Sequence, residues 1–171
     1  MDAVHIHLIL THFPIVGTFI AVGILAYGLF VKNDTIKKVA LIIFILMAIT
    51  TIPVFLTGEE AEETVEHIAG VSEHIIEEHE ELAEKAIWLI EFLGALSLFA
   101  LFAIKNKKSS AKTIVLITFI VSIITFGVFA KVGNLGGQIR HSEIRANNSQ
   151  TINDDGNEHK AEEHQEDDDD D

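Results

Sequence analysis

Residues 4–31, VHIHLILTHFPIVGTFIAVGILAYGLFV, contain no Asp, Glu, Lys or Arg. A helix needs about 20 mostly apolar residues to cross the hydrocarbon core of a bilayer, and this stretch is long enough. Three further runs follow. Residues 39–57 and 113–130 carry no charged residue, and 86–104 carry one, Glu91. Breakers and charges separate them: Lys32-Asn33-Asp34, Gly58-Glu59-Glu60 and Asn106-Lys107-Lys108-Ser109-Ser110. The helices of a soluble bundle would each show a polar stripe with a 3.6-residue period, whereas these runs are apolar all round. The sequence therefore predicts an all-α fold: an integral membrane four-helix bundle with spans at about 4–31, 37–57, 86–105 and 112–132. The first run lacks a basic leader and is longer than a signal-peptide core, so it reads as an uncleaved first helix.

A mean hydropathy of +0.34 sits beside a net charge of −14 in these 171 residues. Both hold only if apolar and acidic blocks are segregated. The acidic blocks are 59–85 and the tail. In the first, Ala61, Val65, Ile68, Val71, Ile75 and Leu82 recur at helical spacing among glutamates, with a break at Gly70-Val71-Ser72 where Ser72 can cap a second helix. This segment is expected to form an acidic, helical, extramembrane hairpin. Residues 146–171 are poor in apolar side chains and rich in like charges, the signature of a disordered tail. The domain reading is a four-span membrane domain over 1–145, followed by that tail. The acidic balance argues against nucleic acid as a partner. The absence of cysteine excludes disulfides and iron–sulfur clusters.

Seven of the twelve basic residues lie in two short loops: Lys32, Lys37 and Lys38 after the first span, and Lys105, Lys107, Lys108 and Lys112 after the third. The positive-inside rule makes that side cytoplasmic. The expected location is a bacterial inner membrane, with both termini and the 59–85 loop in the periplasm.

The nine histidines, at 5, 7, 12, 67, 74, 79, 141, 159 and 164, all fall on the other side. His12 lies within the first span, where a polar ring is expected to face a partner inside the bundle. Pro14 removes a backbone donor two residues later. His5 and His12 share a helix face because seven residues make nearly two turns, while His7 points away from both. His79 precedes the third span and His141 follows the fourth. Gly136 and Gly137 allow a helix end to approach a neighbour or a flat ligand closely. Glu91, the sole carboxylate within a span, is expected to meet His12 or Lys131.

Histidines from three helices facing an apolar interior leave three readings open. One is bis-histidine ligation of haem b, with His7, His12, His79 and His141 as axial ligands, two per haem. Another is a copper or zinc site, with His5 and Glu91 as further candidate ligands. The third is hydrogen bonding to backbone and glutamate that ties the helix ends together. No Cys-x-x-Cys-His or His-Glu-x-x-His motif and no phosphate loop is present, so a stand-alone enzyme is not indicated. The corresponding roles are a b-type electron-transfer protein, an accessory or assembly subunit of a larger membrane complex docking through 59–85, and a periplasmic-side metal-binding protein.

His7-Leu8-Ile9-Leu10-Thr11-His12-Phe13-Pro14-Ile15 resembles the His-Pro-x-x-Val-His-Phe-Pro-Ile opening of a family of small four-helix predicted membrane proteins, described as a domain of unknown function. Gly58, His79, Gly136, Gly137 and His141 correspond to a Gly, a His and a Gly-Gly-x-x-x-x-His element of that family, with three residues here rather than four between the second Gly and the His. Leu8 replaces the usual Pro. The resemblance covers about residues 5–145 and implies the four-span fold. Some members of that family are fused to c-type cytochrome domains, which implies electron transfer through haem with a cytochrome partner.

Overall fold

The computed structural model describes residues 3–66 and 73–140. They form four helices: α1 (Ala3–Phe30), α2 (Asp34–Glu66), α3 (Glu73–Lys105) and α4 (Ala111–Arg140). Each packs on its neighbours in the ring α1–α2–α3–α4, leaving α1 opposite α3 and α2 opposite α4 across the diagonals. All four are long and apolar enough to cross a membrane. The outer surface supports that reading. Phe13, Phe19, Phe30, Trp88, Phe99 and Phe102 are all exposed, and a soluble bundle rarely leaves so much aromatic surface uncovered. The chain is therefore a multi-pass membrane protein, with apolar helices suited to contact lipid.

The interior is filled by Ala21, Leu25, Ala40, Leu41, Phe44, Ala48, Ile90, Leu93 and Val115. Six hydroxyl side chains are buried with them: Thr18, Thr51, Ser97, Thr118, Ser122 and Thr125. Four bond back to carbonyls of their own helix, Thr51 to Met47, Thr118 to Ile114, Ser122 to Phe119 and Thr125 to Val121. This is the usual way a helix in lipid satisfies a hydroxyl. Thr18 and Ser97 have no partner.

The end of α2 differs from expectation. Gly58-Glu59-Glu60 does not end α2, which continues to Glu66. One glycine costs a helix only about 1 kcal/mol relative to Ala, and glutamate is a good helix former, so the loss of hydrophobicity is not a loss of helicity. As the helical reading of the acidic segment allows, α3 begins at Glu73 and runs without a break into its apolar part. The acidic segments are thus end extensions of α2 and α3. The Gly70-Val71-Ser72 break and the tail lie outside the described residues.

The two hairpins repeat one another. The buried positions of α1 (Val4, Pro14, Thr18, Ala21, Leu25 and Gly28) match Ile76, Ala86, Ile90, Leu93, Ser97 and Ala100 of α3 at a shift of 72 positions. Ala40, Phe44, Thr51 and Val54 of α2 match buried Thr118, Ser122, Phe129 and Val132 of α4 at a shift of 78. The turns repeat as well. Lys32 (φ 54°) and Lys107 (φ 50°) both adopt the left-handed conformation. Asn33 N–H donates to Gly28 O at 3.0 Å and Lys32 N–H to Leu29 O at 3.3 Å, while Lys108 N–H donates to Ala103 O at 3.0 Å and Lys107 N–H to Ile104 O at 3.2 Å. Both are Schellman closures. Asn33 Oδ1 then caps α2 through the N–H groups of Thr35 and Ile36. The lysine turns occupy one end of the bundle, and His5, His7, His12, His74 and His79 lie towards the other.

Candidate functional site

The repeat places one histidine of each hairpin in the same setting. His7 on α1 donates from Nδ1 to Val54 O of α2 at 3.1 Å, with Thr57 Oγ1 at 3.4 Å. His79 on α3 donates from Nδ1 to Val132 O of α4, also at 3.1 Å. In each case a glycine lies four residues beyond the carbonyl. A Cβ on Gly58 would stand 3.4 Å from His7 Cε1, and one on Gly136 would stand 3.2 Å from His79 Cε1. The missing side chain opens the flank of the helix, so an imidazole can reach the second lone pair of a carbonyl already engaged within the helix. Both rings are half-buried.

A carbonyl only accepts, so each bond fixes the proton on Nδ1. In the neutral ring this leaves Nε2 with a bare lone pair. This is the state of a histidine ready to bind a metal through Nε2, with the other nitrogen held by a backbone oxygen. The two residues stand on diagonally opposed helices, at the same position of the repeat.

The site sits between apolar layers. About one turn beyond it, Val4, Ala61, Ile76 and Ile139, one from each helix, form a small cluster of their own. On the other side Leu82, Ala83, Ala86 and Val132 belong to the main core. No family model, curated protein or solved structure matches this chain. The likeness of the His7–Ile15 element to a four-helix family is therefore not accompanied by a family match, and the site stands on its own geometry.

The remaining predicted residues divide clearly. His5 and His12 are exposed on the outward face of α1. The expectation that His12 faces inward is corrected: its Nδ1 donates to Leu8 O of its own helix at 2.6 Å. Pro14, two residues on, is buried instead, because two residues turn a helix by about 200°. Gly137 has nothing within 4 Å of where a Cβ would be, so the close approach belongs to Gly136 and Gly58. Glu91 Oε1 is enclosed without a hydrogen-bond partner, and neither His12 nor Lys131 pairs with it. His141 lies outside the described residues. Among the described residues, no three His, Asp or Glu side chains come together as a metal site.

Sequence reasoning missed the two acceptor carbonyls, since the main chain carries no residue-type signal. A usable signal was present in Val54-Phe55-Leu56-Thr57-Gly58 and Val132-Gly133-Asn134-Leu135-Gly136. The Val-x-x-x-Gly spacing recurs in the histidine-side half of both even-numbered helices.

Proposed function

We propose that this chain is a membrane-embedded b-type haem protein in which His7 and His79 are the two axial ligands. The single observation behind this is the pair of matched imidazoles on diagonally opposed helices, each with Nδ1 committed to a carbonyl and Nε2 free. The donor count favours haem over a bare ion. A protein-built zinc or copper site draws three or four ligands from the chain, whereas a haem iron brings four ring nitrogens and asks the protein for two. Bound there, haem would supply a one-electron Fe(III)/Fe(II) couple. The chain's own part is to hold both ring planes, keep both imidazoles in the ligating tautomer, and exclude water through the apolar layers on either side.

The lysine turns make their end the cytoplasmic one by the positive-inside rule. The histidine site then lies towards the periplasmic face of a bacterial inner membrane, where it would exchange electrons with a redox partner.

The test is the absorption spectrum of the full chain purified from haem-replete cells. A Soret band that shifts on dithionite reduction, with a sharp α band, is expected. His7→Ala and His79→Ala should each abolish the low-spin spectrum, while His12→Ala should leave it intact. A colourless preparation, or a spectrum lost on His12→Ala and kept on His79→Ala, would sink the assignment.

A further inference from the structure

Glu91 is the one charged residue of the four apolar runs, and the histidine pair does not use it. Gly94, three residues on, lies against α2: a Cβ there would be 2.6 Å from the Ala48 methyl. Residues three apart share a helix face, so Glu91 lies on the α2 side of α3. The residue is half-buried, and its Oε1 is fully enclosed with no hydrogen-bond partner. The helices packed around it offer no counter-charge. Residues 39–57 of α2 and 113–130 of α4 hold no titratable group, and 13–31 of α1 hold only Tyr27, exposed at the lysine end. On α3 itself the nearest are Glu84 and Lys85, and Lys85 is held by Glu81 at 2.6 Å. Lys131 on α4 is exposed beyond the run. An ionised carboxylate here would lack both donor and counter-ion, and a neutral acid avoids that cost.

We propose that Glu91 is the proton-binding partner of the histidine site. It holds a proton as a neutral carboxylic acid, releases it when positive charge is placed between His7 and His79, and regains it when that charge leaves. The proposal rests on the haem reading, in which ferric iron carries the charge. With haem bound, the Glu91 carboxylate would take up one proton from water, becoming the acid, for each electron that an external one-electron donor delivers to the iron. Twelve residues separate Glu91 from His79, about 18 Å along the helix. A unit charge at that distance, at an effective dielectric of about 20, changes the proton affinity about fivefold.

The experiment is infrared difference spectroscopy of the full chain in lipid nanodiscs, at the pH where Glu91 is half-loaded. The carbonyl band of a protonated carboxyl should grow on reduction in the wild-type chain and be missing from Glu91→Gln. A second arm needs no haem. His79→Lys, or His7→Lys if the first fails to fold, sets a fixed charge at the site and should lower the proton affinity of Glu91 about fivefold. An acid band indifferent to both reduction and the lysine variants overturns the proposal, as does the absence of any Glu91 acid band across the pH range. A haem-free chain that still shows the lysine effect overturns the haem reading alone.

Discussion

Adding one methyl group at Gly136 tests the site at its tightest point. An alanine Cβ there would lie 3.2 Å from His79 Cε1 and 3.6 Å from His79 Nδ1. The first distance is tighter than ordinary contact, so the imidazole must yield by a few tenths of an ångström. Its bond to Val132 O is 3.1 Å long. A shift of that size carries it to the edge of the 2.7–3.2 Å range and removes most of a net contribution of about 1 kcal/mol. Against this, Gly→Ala within a helix returns about 1 kcal/mol, so Gly136→Ala should be close to neutral in stability. Gly137→Ala meets nothing within 4 Å and keeps the whole gain. Adjacent residues on one helix should thus give variants that differ by about 1 kcal/mol, roughly fivefold in an equilibrium constant. Gly58→Ala, at 3.4 Å from His7 Cε1, should fall between them. Equilibrium unfolding in mixed micelles reads the stability. Haem titration followed at the Soret band reads the geometry, where Gly136→Ala should bind more weakly than Gly137→Ala. If Gly136→Ala is as stable as Gly137→Ala and binds haem as tightly, the stacked imidazole is wrong.

Two further substitutions probe the bundle below the site. Gly94→Ala drives a methyl against the Ala48 methyl, which cannot move without its helix, and should cost about 1–3 kcal/mol; Gly17→Ala meets only the Met47 side chain, which can swing aside, so the same unfolding assay should find it milder, and equal losses would refute the distinction. Thr18→Val removes a buried hydroxyl that has no partner and should stabilise by about 1 kcal/mol, whereas Thr118→Val removes one already bonded to Ile114 O and should be near neutral; the reverse order in thermal unfolding would contradict the assigned bonding.

The spans were legible because lipid demands long uncharged runs, and nothing in a soluble fold imitates residues 4–31. The end of α2 was not. Hydrophobicity stops at Gly58 and begins again near Ala86, yet the intervening glutamates favour helix and carry both elements onwards. The opposition of His7 to His5 and His12 follows from the helical repeat alone. The facing of His12 does not follow from its depth. Pro14 takes the inner face, and the His12 ring is satisfied by a carbonyl of its own turn. The matching of His7 with His79 was hidden for a different reason. Their partners are backbone oxygens, and only the doubled Val-x-x-x-Gly spacing betrays where those oxygens are open to approach.

The two hairpins repeat, but not at equal length. From His79 to Lys107 the chain is three residues longer than from His7 to Lys32, and from Lys107 to Val132 it is three longer than from Lys32 to Val54. Both extra segments lie on the lysine side, so the second turn reaches about 4.5 Å further from the histidine layer than the first. Neighbouring helices stand about 10 Å apart. A bilayer with parallel faces accommodates both lysine turns at one depth when the bundle leans by roughly 20–25°, close to the ~20° average inclination of spanning helices. Such a lean slants the histidine layer and brings His79 nearer than His7 to the water on its side of the membrane. Two histidines that are equivalent by repeat become inequivalent through hydrophobic mismatch, and the thickness of the host membrane sets how far apart they are in depth.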